Sequence, residues 1–95
     1  MNKAGGTLLM KIKYSKSALK FLAKIQRATA QNIREAINGL THNPPKGDIK
    51  PMQGYNDGRM RLRAGKYRII YRYDIDNELE ILYIIDIGSR GDIYK

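Results

Sequence analysis

The residues of this chain best suited to chemistry are arginines concentrated between positions 59 and 72. This stretch holds six of the eighteen basic residues of the chain and contains no acidic residue. Guanidinium groups bind phosphate oxygens through paired hydrogen bonds and stabilise negative charge that develops on them. Because like charges on one surface repel each other, such a cluster indicates a binding surface for a polyanion.

The arginines at the start of this stretch alternate with apolar residues, which is the pattern of a strand with one buried face. Successive side chains of a strand point to opposite sides of the sheet. Arg59, Arg61 and Arg63 are therefore predicted to share one face, while the apolar residues between them face a core. Three guanidiniums on one face of a strand predict contacts with phosphate groups.

A tight hairpin turn is predicted at Gly65-Lys66, after which the chain returns as a second strand from Tyr67 to Tyr73. If the residues that flank Arg68 face the core, its guanidinium lies on the arginine face. Pairing across the hairpin then brings Arg68 close to Arg61. Lys66, at the turn itself, adds a cation that can bind a phosphate.

Length and composition bound the classes of protein to which the chain can belong. Ninety-five residues fit one domain, predicted at 10–95 behind a flexible extension at 1–9, and Met10 is a candidate translation start. The net charge of +9 favours a nucleic acid, an anionic lipid or an acidic protein as partner.

The absence of cysteine excludes disulfides and thiolate metal sites and fits a cytoplasmic protein. No apolar run approaches the roughly 20 residues of a membrane span, so no membrane partner is expected.

Apolar periodicity predicts a strand and two helices in the first half of the chain. Apolar residues alternate with lysines from Met10 to Tyr14, which is typical of a short strand. They then recur every three or four positions from Lys16 to Gln26 and from Ala30 to Leu40, which predicts two amphipathic helices. Ser15 or Ser17 is a suitable N-cap, and the short break between the helices favours an antiparallel pair.

The second half of the chain predicts an antiparallel sheet. Its candidate strands are Asp48 to Met52, Arg59 to Ala64, Tyr67 to Tyr73 and Leu79 to Ile87, with a polar turn at Asp74 to Glu78. The last strand is almost continuously apolar, which is typical of a strand in the interior of a sheet. We therefore predict an α+β fold: an N-terminal strand, an antiparallel helix pair, and a twisted antiparallel sheet of three to four strands.

Two segments carry a family resemblance. The first is Gly-Lys-Tyr-Arg-Ile-Ile-Tyr-Arg at 65–72, and the second, beyond the apolar strand, is Ile-Gly-Ser-Arg-Gly-Asp-Ile-Tyr at 87–94. Together they resemble the RelE/ParE superfamily of bacterial toxins, and most closely the RelE-type ribosome-dependent mRNA interferases. The resemblance covers most of the chain from Met10 onward and includes the order of its predicted elements.

The resemblance implies a toxin of a type II toxin–antitoxin system. Its implied activity is that of a metal-independent endoribonuclease, without a cofactor, that cleaves mRNA in the ribosomal A site and so inhibits translation in the cytoplasm. Its implied partners are mRNA on the 30S subunit and a cognate antitoxin, with a heterotetramer as one assembly. The implied catalytic residues are Arg61, Arg68, Arg90 and Tyr94, and the residues expected to bind RNA are Arg59, Arg63 and Lys66.

Two departures from the pattern of RelE-like toxins involve three positions. Those toxins often carry lysines where this chain has Arg59 and Arg61, and relatives often carry histidine at the position of Ser89. Lysine loses its proton more readily than arginine. The residue that accepts the proton of the attacking hydroxyl is therefore left open by the sequence.

Other interpretations of the sequence compete with the nuclease. A ParE-like toxin shares the scaffold but inhibits DNA gyrase without cutting RNA, and a non-catalytic nucleic-acid-binding module explains the charge alone. Among single residues, Arg72 fits a solvated position paired with an acid such as Asp74. His42, the sole histidine, fits a structural position at the C-terminal end of the second helix.

Overall fold

The computed structural model describes residues 10–89 and confirms the predicted α+β class. Residues 1–9 of the predicted extension, and Arg90 and Tyr94 of the predicted site, lie outside the described residues. In chain order the elements are β1 (Met10–Tyr14), α1 (Lys16–Lys24), α2 (Arg27–Asn38), a 3₁₀ turn (Gly39–Thr41), β2 (Asp48–Pro51), β3 (Met60–Ala64), β4 (Tyr67–Asp76) and β5 (Leu79–Ser89). None of the described helices is long and apolar enough to cross a membrane.

The strands form one five-stranded sheet in the order β1-β5-β4-β3-β2. The pairs β2–β3, β3–β4 and β4–β5 are antiparallel, as predicted. Strand β1 joins the edge of the sheet parallel to β5, with Met10 opposite Glu80 and Tyr14 opposite Ile84. Strand β5 is therefore interior to the sheet, in agreement with its apolar sequence.

The turn between β4 and β5 is shorter than predicted. The prediction of a polar turn over Asp74 to Glu78 is wrong, because β4 continues to Asp76. Only Asn77 and Glu78 form the turn, and both have positive φ angles, 52° and 69°. A two-residue turn in which both residues have positive φ angles matches the right-handed twist of the strands that it connects. The polar residues that suggested a loop lie instead on the exposed end of β4, beyond its pairing with β3.

One face of the sheet and the two helices enclose the hydrophobic core. Both helices direct their apolar sides to this face, where Ile69 and Leu82 have no exposed surface. Burial of such a side chain contributes about 1.5–3 kcal/mol. The buried core residues are Ala18, Leu22, Ala30, Ile33, Ile37, Leu40, Leu62, Ile69, Tyr71, Leu82, Ile84 and Ile87. Because the helices cover only this face, the alternate residues of each strand lie on the other.

Ser15 connects β1, α1 and β5. Its Oγ accepts a hydrogen bond from the backbone N–H of Ala18 at 3.0 Å, which caps α1, and donates to the carbonyl of Ile85 at 2.7 Å. Its own N–H donates to the carbonyl of Ile84 at 3.0 Å. A shift in the pairing of β4 with β5 leaves Ile85 without a partner on β4. Ser15 therefore supplies a hydrogen bond at the irregularity.

Replacing Ser15 by alanine should lower the free energy of unfolding by about 1–2 kcal/mol, because two part-buried hydrogen bonds are lost. The matched control is Ser17→Ala, which removes a single exposed bond from Ser17 Oγ to Asp86 at 2.8 Å. That variant should change stability by about 0.5 kcal/mol or less. Urea denaturation of both variants measures the difference, and equal effects would contradict this role of Ser15.

Candidate nucleic-acid interface

The face of the sheet opposite the helices carries the arginine cluster. The register places Arg61 opposite Ile70, and Arg63 directly opposite Arg68. Arg61 and Arg68 are thus diagonal neighbours, a relation in which Cα atoms lie about 7–8 Å apart. The prediction that these arginines share one face is confirmed, with Arg63 rather than Arg61 as the direct partner of Arg68.

Four of the five strands carry positive charge on this face, and β5 carries none. Strand pairing aligns Lys13 with Tyr83 of β5 at one edge, and Lys50 of β2 with Arg61 at the other. We call this surface the basic face, and its cationic members are Lys11, Lys13, Lys50, Arg59, Arg61, Arg63, Arg68 and Arg72. Five of the six basic residues between positions 59 and 72 therefore belong to a larger surface.

Strand β2 supplies a carboxylate to the basic face, a contact that the sequence does not reveal. Asp48 lies opposite Arg63 and accepts a hydrogen bond from its Nε at 2.7 Å. Its other oxygen is 3.6 Å from Nη2 of Arg61. The hydrogen bond from Arg63 is the main reason that the pKa of Asp48 is lowered. The only signal in the sequence was an acid on a short edge strand, whose partner the sequence does not give.

A second carboxylate, that of Asp57, forms ion pairs at the other end of the basic face. It accepts from Nη2 of Arg59 at 2.8 Å and from Nη1 of Arg72 at 3.1 Å. Hydrogen bonding to Arg59, more than any other cause, lowers the pKa of Asp57 to about 2. Arg72 also donates to Asp74 at 3.1 Å, which confirms that Arg72 is a surface residue paired with acids. The spacing Asp57-Gly58-Arg59 was a usable sequence signal, because Asp side chains often bond the backbone two residues on.

Arg68 differs from the other arginines of the basic face. Its residue exposure is only 7%, and its buried Nε has no hydrogen-bond partner among the described residues. Nε and Nη2 of Arg61 are likewise buried without a hydrogen-bond acceptor in this part of the chain, although Nη2 lies within ion-pair distance of Asp48. Within residues 10–89, no carboxylate forms an ion pair with Arg68. Buried polar groups without partners are costly and uncommon, so this pair of arginines is suited to an anionic ligand.

Lys66 and His42 lie apart from Arg61 and Arg68. Lys66 sits in the turn with its Nζ 5.6 Å from the ring of Tyr67, and so lies at the end of the hairpin. His42 follows the 3₁₀ turn and lines a groove on the helical side with Leu40 and Tyr73. It does not join the basic face. In the described part of the chain, no group of three or more His, Asp or Glu side chains is arranged to hold a metal ion.

Comparisons with known proteins agree with this geometry. A family model described as the ParE toxin of the type II toxin–antitoxin system, parDE, matches residues 12–94. A search of curated protein sequences gives no match.

Solved structures share the fold over most of the chain. A chain of the archaeal RelE–RelB complex from Pyrococcus horikoshii OT3 is 25% identical, with a TM-score of 0.67 over 90% of this chain and 99% of that chain. The YoeB/ParE toxin from Agrobacterium tumefaciens is 25% identical, with a TM-score of 0.65 over 85% and 99% of the two chains. The isolated E. coli RelE toxin, at 21% identity, shares the fold with a TM-score of 0.60 over 88% and 89%.

Replacing Arg68 by methionine should raise the free energy of unfolding by about 1 kcal/mol or more. The substitution keeps most of the volume, removes a buried N–H without an acceptor and removes the repulsion from Arg63 opposite. The matched control is Arg72→Met on the same strand and face, which breaks ion pairs to Asp57 and Asp74 and should not stabilise. Urea denaturation compares the two, and a loss of stability in Arg68→Met would contradict the unsatisfied state of Arg68.

The carboxyl group of Asp57 should titrate near pH 2 in carbon-13 NMR. Since its folded-state pKa lies below the ordinary 3.8, its contribution to stability is present at neutral pH and is lost as the pH falls through about 2. Arg59→Gln should return the pKa most of the way to the ordinary value, and Arg72→Gln should move it less. A larger shift in Arg72→Gln would show that Arg59 is not the main partner.

Proposed function

The chain belongs to the ParE toxin family of type II toxin–antitoxin systems, and we propose that it acts as a ribosome-dependent endoribonuclease that cleaves mRNA in the A site. The observation that carries this proposal is the pair Arg61 and Arg68, whose buried N–H groups lack hydrogen-bond acceptors among the described residues. A binding protein that used only the charge of this face would have no need to bury an unpaired guanidinium.

The proposed reaction is an attack by a ribose 2′-oxygen on the adjacent phosphorus. The new P–O bond closes a cyclic phosphate as the bond to the 5′-oxygen breaks, the 2′-hydroxyl loses its proton, and the leaving oxygen gains one. Negative charge grows on the non-bridging oxygens, where fixed guanidiniums stabilise it. Arg61 and Arg68 would donate to those oxygens from positions set by the hairpin.

Two further groups of residues complete the proposal. Arg90 would add a third charge at the phosphate or leaving group, and Tyr94 would stack on a base or transfer a proton; these two roles rest on the family resemblance. Arg59, Arg63 and Lys66 would bind neighbouring phosphates. The side chain of Arg63 is 49% exposed, and exposed ion pairs contribute little, so a phosphate can replace Asp48 as its partner.

The proposed partners follow from the family and from the charge. The Pyrococcus horikoshii structure is a RelE–RelB complex, and we expect this chain to bind a cognate antitoxin, including in a heterotetramer. Acidic segments of that antitoxin would complement the net charge of +9. Bound mRNA on the 30S subunit would supply the in-line geometry that accelerates the reaction. All of these encounters would take place in the cytoplasm.

A second function, inhibition of DNA gyrase, is favoured by the family model itself, which describes a ParE toxin. The shared fold does not distinguish the two activities, because fold alone does not specify function. Purified gyrase separates them directly. A gyrase-inhibiting toxin would block supercoiling and leave ribosome-bound mRNA intact, whereas the proposed nuclease would do the reverse.

On programmed ribosomes, Arg68→Ala should slow mRNA cleavage on the order of 10²–10³-fold, the usual cost of removing one transition-state donor. Primer extension on a defined mRNA maps and quantifies the cuts. The control is Arg34→Ala, which removes an equal charge from α2, where the guanidinium lies 5.9 Å from the ring of Tyr14. It should cut at the wild-type rate. Wild-type cleavage by Arg68→Ala would rule out the proposed site.

A further inference from the structure

The loop between β2 and β3 presents an aromatic ring at the rim of the basic face. Tyr55 keeps 49% of its surface exposed, although most large apolar side chains of the described chain are buried. The guanidinium carbon of Arg59 lies 4.1 Å from the centre of the Tyr55 ring. At that distance the cation lies over the ring, and about half of the residue stays open to solvent.

The guanidinium of Arg59 that contacts the ring is held by contacts to the sheet. Arg59 is fixed by Asp57 through both Nε and Nη2, at 3.1 and 2.8 Å. Asp57 is held in turn by Arg72 of β4. The carbonyl of Arg59 also accepts from the N–H of Met52 at 3.2 Å, which extends the pairing of β2 with β3. Tyr55 therefore stacks on a cation whose own position is set by two strands.

The position of Tyr55 and Arg59 relative to Arg61 and Arg68 suits the binding of one RNA strand to both pairs. Arg59 precedes Arg61 by two residues, a separation of about 6.6 Å along an extended strand. A nucleotide chain with its phosphate at Arg61 and Arg68 would bring the next base near Tyr55. Proteins that bind single-stranded RNA place bases on aromatic rings beside cations in this way.

We propose that Tyr55, backed by Arg59, is a stacking subsite for a nucleobase of single-stranded RNA adjacent to the phosphate held by Arg61 and Arg68. This subsite rests on the proposed function, because it takes the substrate of the same site. Stacking uses the face of the base, so the subsite holds any base and contributes affinity and orientation rather than recognition of one sequence.

The test is equilibrium binding of a short fluorescent single-stranded RNA to the full chain. Tyr55→Leu keeps the apolar bulk but removes the ring, and should weaken binding about tenfold. Tyr55→Phe and Tyr55→Trp keep an aromatic face and should bind like the wild type. Wild-type affinity in Tyr55→Leu would overturn the subsite.

The dependence on salt separates stacking from charge. Loss of a phosphate contact reduces the slope of log affinity against log salt by about 0.7 for a single strand. Tyr55→Leu should leave that slope unchanged, whereas Arg68→Ala should reduce it. A reduced slope in Tyr55→Leu would show that the ring acts only by positioning Arg59, and would overturn the stacking role.

An RNA with abasic sites tests the same contact from the side of the ligand. The loss of affinity caused by Tyr55→Leu should be about tenfold on intact RNA and should vanish on the abasic RNA. Losses that simply add would overturn the subsite. So would failure of the wild type to bind single-stranded RNA.

The experiments distinguish failure of the proposed function from failure of the subsite. If RNA binding depends on the Tyr55 ring while mRNA on ribosomes stays intact, the subsite is supported and the nuclease is overturned. If ribosome-bound mRNA is cut and RNA binding does not depend on the ring, the nuclease is supported and the subsite is overturned.

Discussion

Repulsion between like charges on one face of a sheet is the constraint around which the basic face is built. Strand alternation forces the arginines of β3 and β4 onto the same side, with Arg63 directly opposite Arg68. Two carboxylates from other segments relieve part of the repulsion, Asp48 at one end and Asp57 at the other. Arg68 receives no such partner among the described residues, and the excess of charge is left where an anionic ligand would complete the site.

The division of the sheet into two faces separates stability from function. The helices and the core occupy one side, and the same strands carry Arg61 and Arg68 on the other. Rigid strands hold the guanidiniums more firmly than a loop would, which is a condition for electrostatic stabilisation of a transition state. The unsatisfied N–H groups lower stability, so the site carries a cost that the core on the opposite face offsets.

Membership of the ParE toxin family establishes that the chain is a toxin, but it does not identify the target of the toxin. The target has to be inferred from the residues of the basic face. The paired arginines favour chemistry at a phosphate, and the Tyr55–Arg59 stack favours an unpaired nucleic-acid strand over a duplex. These features, rather than the fold, support the proposed nuclease activity. They also suggest that the loop between β2 and β3 contributes to substrate binding along with the hairpin.

The sequence by itself determined the periodic features, because alternation and helical spacing are local. It gave the arginine face, the turn at Gly65-Lys66 and the interior position of the last strand. It could not give the parallel pairing of β1 with β5, or the proximity of Asp48 to Arg63, because these contacts join segments distant in the chain. Only tertiary structure decided which guanidiniums are neutralised, since a carboxylate acts on the charges that lie next to it in space.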